Sequence, residues 1–247
     1  RDRIDYTYVA RTPSAANEFA VVSGVTTDRV GNVTDEYFDA ASNRVIRQRF
    51  TGRWDPDLPA LPPLAPPFPQ VRPGDPPVFE VRTRYAPSGL PVFVRHAKGT
   101  ETVLVYEADV NPGAPPRSLG NLREVHRLPG SHTPAGDQAP IVGRFEYDPA
   151  SNFVTKHVDG RGSQTLHAYD AAGNRLQTVH RLPSAVEDFA YDAFGRLVQH
   201  VRPPDATGAR RVDQFEWYGP ADGHQNGYLR RERVDAPGLA LTTTYEY

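Results

Sequence analysis

The feature that most constrains this chain is a short turn that recurs behind an aromatic residue. Tyr147-Asp148-Pro149-Ala150-Ser151-Asn152, Tyr169-Asp170-Ala171-Ala172-Gly173-Asn174, Tyr191-Asp192-Ala193-Phe194-Gly195-Arg196 and Phe38-Asp39-Ala40-Ala41-Ser42-Asn43 are copies of one element. An Asp at the first position of a type I turn accepts hydrogen bonds from backbone N–H groups further along it. Gly, or Ser-Asn in its place, takes the position where φ turns positive. Asp39, Asp148, Asp170 and Asp192 are therefore expected as turn acceptors, and Gly173 and Gly195 as the left-handed residues. Return segments such as Arg175-Leu176-Gln177-Thr178-Val179-His180 make each unit a β-hairpin.

The approach to each turn alternates. Tyr6-Thr7-Tyr8, Phe145-Glu146-Tyr147, Phe189-Ala190-Tyr191, Phe215-Glu216-Trp217 and Tyr245-Glu246-Tyr247 place aromatics on one face with a polar residue between, the period of a half-buried strand. A second turn closes the cycle: Asp159 lies 11 residues before Asp170, and Asp28 lies 11 before Asp39. Taking the aromatic before each turn as a marker gives positions 8, 38, 85, 106, 147, 169, 191, 217 and 247, tightest at 22 residues between 147, 169 and 191. Between markers 106 and 147 the turns expand to Glu107–Gly120 and Pro129–Ala139. One misfit stands out. The first aliphatic residue comes six positions after Tyr191 but seven after Tyr169, and a β-bulge at the turn is expected to absorb the difference.

Composition agrees with many short hairpins and a thin apolar layer. The chain has 25 Pro and 20 Gly, and 38% of its 247 residues are hydrophobic. The 25 aromatics and the strict patterning separate it from a disordered chain. The absence of Cys excludes disulfides, thiolate metal sites and thiol catalysis. No apolar run is long enough to span a membrane as a helix. A net charge of −2 offers no basic surface for nucleic acid. The 26 Arg against 2 Lys, with no Met, fit an internal piece of a longer polypeptide from a GC-rich, bacterial genome. Residues 55–77 stand apart as a Pro-rich insertion between hairpin units, because ten prolines in 22 residues favour polyproline II and cannot pair in a central strand.

Candidate chemistry is sparse. The eight histidines form no His-Glu-x-x-His or His-x-His, and His126, His157, His180 and His200 are expected as polar strand residues, not metal ligands. No Gly-x-Ser-x-Gly occurs, and Ser131-His132 lies in a Pro/Gly-rich loop. Carboxylate pairs such as Glu146/Asp148 and Glu187/Asp188 are expected to serve turns and cross-strand pairs. The arginines are expected to pair with Asp and Glu across strands. The reading is of no catalytic residue, no metal and no cofactor. Trp54, Trp217 and Tyr218 are the candidate binding aromatics.

Tyr-Asp-Ala-Ala-Gly-Asn-Arg-Leu (169–176) and Tyr-Asp-Ala-Phe-Gly-Arg-Leu-Val (191–198) resemble the YD, or RHS, repeat of RHS polymorphic toxins, Tc toxin B and C subunits and teneurins. Residues 145–202 fit best. The resemblance implies an all-β fold in which stacked antiparallel hairpins form a long coiled sheet, a section of a hollow shell. On that basis 1–247 is one YD-repeat fragment. It is expected to be non-enzymatic, secreted or at a cell surface, and partnered by other parts of its own parent chain, including an enclosed effector. Self-association through edge strands is expected, and neither nucleic acid nor membrane insertion. A teneurin-like adhesive surface binding carbohydrate or protein is the alternative role. A β-propeller enzyme or lectin is the competing architecture, disfavoured by unequal unit lengths and the lack of a recurring blade signature.

Overall fold

The computed structural model describes residues 4–54, 72–130, 139–181 and 185–247. Most of the Pro-rich insertion (55–71), Ser131-His132 and most of the Pro129–Ala139 expansion lie outside the described residues. The chain divides into two compact units, Arg1–Val142 and Gly143–Tyr247. The first holds β1 (Asp5–Ala10), β2 (Val22–Thr27), β3 (Asn32–Phe38), β4 (Arg44–Arg53), β5 (Val78–Tyr85), β6 (Pro91–Arg95), β7 (Glu101–Tyr106), a four-residue helix α1 (Glu107–Val110) and β8 (Leu122–Leu128). Each of these strands pairs antiparallel with the next. The expansion after β7 is closed at its base by the Glu107 N–H donating to Asn121 O at 2.8 Å.

The second unit repeats the meander with β9 (Ile141–Tyr147, registered from Arg144 onward), β10 (Val154–Val158), β11 (Gln164–Tyr169), β12 (Arg175–Val179), β13 (Val186–Tyr191), β14 (Leu197–Pro204), β15 (Arg210–Trp217), β16 (Leu229–Val234) and β17 (Leu241–Thr244). Again each strand pairs antiparallel with its neighbour in sequence. The expected all-β architecture of successive hairpins is what the structure has.

The bulge is present, and it sits in every comparable hairpin. Phe38 faces Arg44, Tyr85 faces Pro91, Tyr106 faces Leu122, Tyr169 faces Arg175, Tyr191 faces Leu197 and Trp217 faces Leu229. In each pair the register slips by one residue immediately before the aromatic. Tyr169 and Tyr191 thus have the same register, so the bulge does not absorb the difference in aliphatic spacing. Arg175 instead takes the place that Leu197 has in the next hairpin, and its guanidinium lies 4.8 Å from the Phe189 ring centroid. Leu176 is left exposed.

The marker aromatics have a second task that ties hairpins together. Tyr85 Oη donates to Arg44 O (3.2 Å), Tyr106 Oη to Pro91 O (2.8 Å), Tyr169 Oη to Val154 O (3.0 Å) and Trp217 Nε1 to Leu197 O (2.8 Å). Each acceptor is the residue that faces the marker of the preceding hairpin. The ladder to the following strand begins at Ile46, Phe93, Lys156 and Gln199, in every case two residues beyond that carbonyl. The aromatic donor therefore satisfies a carbonyl that the bulge has taken out of the regular ladder.

Burial is shallow. The buried hydrophobic residues among those described are Ala20, Val33, Val45, Ile46 and Tyr106, all in the first unit, with Tyr37 and Tyr85 packed against Ala20, Val45 and Ile46. Ser23, Thr27, Asp35, Thr178 and Asp213 are buried as well. Two aromatic stretches behave differently from expectation. Tyr6 and Tyr8 on β1 are 64% and 76% exposed, so this strand is not half-buried. Tyr8 stands opposite Gly24 in mid-strand, with its ring resting over a residue that has no side chain, and it precedes no turn. Tyr245-Glu246-Tyr247 follows β17 and is not a strand; Tyr245 and Tyr247 instead serve Tyr218 and Tyr228, described below.

Replacing Tyr169 by Phe removes one donor and leaves the Val154 carbonyl unpaired. The expected cost is about 1 kcal/mol, read as a lowered midpoint in urea at unchanged slope. Tyr6→Phe, on an exposed ring, is expected to leave the midpoint unchanged.

Candidate functional site

The recurring turns are the most sharply built feature. In six of them the Asp Oδ1 accepts from the backbone N–H groups two and four residues on, at 2.8 to 3.1 Å: Asp28, Asp39, Asp159, Asp170, Asp192 and Asp205. The backbone closes in one way throughout. The first residue donates to the carbonyl four on, and the fourth donates back to the first, as in Asp170 N–H to Asn174 O (2.9 Å) and Gly173 N–H to Asp170 O (3.1 Å). The fourth residue has positive φ: 89° at Gly173, 76° at Gly195 and 65° at Ser42. Asp148 heads a turn one residue longer, with Asn152 as its left-handed residue. The Asn174 side chain and backbone N–H hold the Asp170 carboxyl below its usual range, and the Ser163 and Arg161 backbone N–H groups do the same for Asp159. These carboxylates are acceptors by construction, which leaves them no part as general acids.

Two turns of the same backbone form were not among those expected. Asp205–Gly208 carries the Asp signal without a preceding aromatic. His96–Gly99 lacks the Asp, and only its Gly marks it, at φ 81°. Ala86–Gly89, behind the marker Tyr85, also lacks the Asp and has its Gly at φ 80°.

The polar side chains of the second unit converge on one sheet face. Glu187 on β13 accepts from His180 Nε2 at Oε1 (2.6 Å) and interacts with His200 Nε2 at Oε2 (2.7 Å). The His200 ring stacks on Phe189 at 4.6 Å, and His157 stacks on Phe145 at 4.7 Å, each aromatic being the cross-strand neighbour of its histidine. His167 Nδ1 meets Thr178 Oγ1 at 3.1 Å, and burial lowers the His167 imidazole below its usual value. Asp213 is buried and bridged by Arg202 Nε (2.7 Å) and the Asp235 backbone N–H (3.1 Å). In the first unit His126 contacts Glu124 at 2.6 Å. Burial tends to raise Glu187, but the hydrogen bonds from His180 and His200 outweigh it and hold the carboxyl low. His157, His167, His180 and His200 are engaged with neighbouring side chains. Among the described residues no group of three His, Asp or Glu is arranged to hold a metal ion, and no helix is long and apolar enough to cross a membrane.

The carboxylates and arginines are also largely committed to one another. Glu146 pairs with Lys156 (2.9 Å), Asp188 with Arg210 (2.6 Å), Arg95 with Glu101 (2.8 Å) and Arg44 with Glu36 (2.7 Å). Asp35 differs: it is buried beside Arg11 (3.2 Å), its Oδ1 has no hydrogen-bond partner, and burial pushes its carboxyl up.

Of the candidate binding aromatics, Trp217 is half-buried with its N–H spent on Leu197 O and Arg196 lying over its ring. Tyr218 donates to Tyr245 O at 2.9 Å, lies beneath Arg230 and meets Tyr247 edge-on at 6.4 Å, while Tyr247 stacks on Tyr228 at 4.7 Å. Trp54, in the first unit, donates its backbone N–H to Gly31 O at 2.8 Å.

Two outcomes follow from these contacts. Gly173→Ala places a Cβ 2.8 Å from Phe153 Cε2 at φ 89°, and is expected to cost about 2 kcal/mol. Gly208→Ala, at φ 87° in open space, is expected to cost about 1 kcal/mol, both read by urea unfolding. Because the folded Glu187 is depressed, its stabilising contribution is present above the ordinary value of about 4.5 and is lost as pH falls through the folded value. Glu187→Gln is therefore expected to unfold less steeply with acidification below pH 4.5 than the parent chain.

No family model matches the chain. It is 30% identical over 121 residues to double-stranded DNA deaminase toxin A of Burkholderia cenocepacia (strain H111), a match that spans 45% of this chain and 8% of that protein. Among solved structures it is similar to the TcdB2-TccC3 chain (TM-score 0.46, 11% identity, 97% of this chain and 13% of that one). It is also similar to the Photorhabdus luminescens Tc holotoxin pore (TM-score 0.44, 11% identity, 89% and 12%). The chain thus spans a small part of each protein it matches. Its own repeat is an aromatic, an Asp turn and a return strand recurring through antiparallel hairpins, the pattern by which its sequence resembles the YD, or RHS, repeat.

Proposed function

We propose that this chain is a non-enzymatic structural segment of an RHS/YD-type shell, serving a toxin-delivery protein that is secreted or displayed at a bacterial surface. Its task is to enclose or present another part of its parent polypeptide. The observation that carries this reading is the stitch between hairpins, in which Tyr85, Tyr106, Tyr169 and Trp217 each complete the backbone bonding of the hairpin before it. A unit stabilised by its neighbours can be repeated into an extended wall without needing a deep core. The commitment of turn carboxylates, histidines and arginines to structural contacts supports the same role. Similarity to a protein named as a toxin supports the toxin association. That relative is named for deamination, and the Pro-Cys-x-x-Cys pair by which zinc deaminases hold their metal has no counterpart in a chain without Cys.

The test is limited proteolysis of the whole parent protein. The enclosed segment is expected to resist cleavage while this chain is intact, and to become cleavable when Tyr169 and Trp217 are both replaced by Leu. An enclosed segment cut as fast in the intact parent as in isolation would overturn the proposal.

A further inference from the structure

A groove of about 210 Å³ opens in the first unit between the end of β4 and the segment leading into β5. Arg49, Arg53 and Arg72 line it with Asn32, Asp75 and Phe79. Its walls are held by backbone bonds. Thr51 donates its N–H to Pro77 O (3.2 Å) and its hydroxyl to Pro76 O (2.7 Å), which sets the segment carrying Arg72 beside β4. Phe79 faces Arg49 across the β4–β5 ladder, and Arg53 faces Asn32 across the β3–β4 ladder. Trp54 N–H to Gly31 O ties the end of β4 to the Asp28 turn, where the Trp54 carbonyl occupies the space a Gly31 side chain would need.

Three arginines meet at this groove. Arg11, Arg44, Arg82, Arg95, Arg202 and Arg210 all rest on carboxylates. Arg49 and Arg72 make no ion pair, hydrogen bond or ring contact among the described residues, and Arg53 is credited only with a through-space effect on Asp28. Three arginines and one carboxylate residue, Asp75, line this small groove, an excess of positive charge. A doubly charged oxyanion would balance that excess, and the planar guanidinium fork matches its oxygens two at a time. The volume suits one tetrahedral oxyanion group with some water.

We propose that this groove binds the phosphoryl group of a ligand, with Arg49, Arg53 and Arg72 as its donors. The inference does not rest on the shell reading. Titration calorimetry with inorganic phosphate in low chloride tests it, using the wild-type chain, Arg49→Ala/Arg72→Ala and Arg49→Lys. Since neither arginine side chain makes another contact among the described residues, the double variant is expected to unfold at the same temperature as wild type in phosphate-free buffer. Saturable phosphate binding is expected for wild type, at least tenfold weaker in the double variant and intermediate in Arg49→Lys, which keeps the charge but loses the fork. Phosphatidylcholine vesicles with and without phosphatidic acid separate the sources. Retention on phosphatidic acid that the double variant loses assigns a lipid headgroup, and phosphate binding without retention assigns a free anion. Absence of saturable phosphate binding, or equal affinity in wild type and double variant, overturns the proposal.

Discussion

The hydrogen bond from a marker aromatic to the backbone of the preceding hairpin is the interaction on which the rest depends. A two-stranded hairpin is marginal by itself, because its outer backbone groups and one face remain in water. The turns behind Phe38, Tyr85, Tyr106, Tyr147, Tyr169, Tyr191 and Trp217 each sit beside a bulge, and such a bulge removes a carbonyl from the regular ladder. Tyr85, Tyr106, Tyr169 and Trp217 return a donor to that carbonyl from one hairpin further on. The device explains why Tyr or Trp holds the position before the turn at 85, 106, 169 and 217. A ring covers the strand surface while its hydroxyl or indole N–H reaches the backbone, whereas Phe38 supplies only the ring.

A chain joined in this way can tolerate a polar interior. Five hydrophobic residues are buried among those described, all in the first unit, and the second unit instead buries Thr178 and Asp213. What replaces an apolar core there is a set of directed contacts: Glu187 between two histidines, His200 and His157 stacked on Phe189 and Phe145, and Asp213 beneath Arg202. Cross-strand polar pairs contribute modestly one at a time, so the sheet gains from their number and from the geometry the ladder imposes. The orphan oxygen of Asp35 matters because, among the described residues, the other buried side-chain polar atoms have partners.

The turns were legible because their mechanism is local. Asp, followed three positions on by Gly or by Ser where Gly is absent, states the hydrogen bonds and the sign of φ within five positions. Where the local signal is diluted, the turn is hidden, as at His96–Gly99, whose Gly alone carries it. The aromatic alternation was less reliable. Tyr6-Thr7-Tyr8 and Tyr245-Glu246-Tyr247 share the pattern of Phe189-Ala190-Tyr191, yet the first is exposed over Gly24 and the last is not a strand. Periodicity records which residues share a face, and nothing in it says whether that face is covered. The difference in spacing after Tyr169 and Tyr191 likewise pointed to a bulge, but one common to both hairpins, and the cost of placing Arg175 where a Leu fits is met by its position over Phe189.

By itself the sequence determined the all-antiparallel hairpin architecture, the positions of the Asp turns and the commitment of their carboxylates, since each follows from bonds made within a few residues. Only the tertiary structure decided what each aromatic donates to, which histidines share Glu187, and which arginines are left without an acid. Those contacts join residues between 7 and 41 positions apart. Their partners are chosen by strand register and by the bulge that shifts it, quantities set by the packing of whole hairpins.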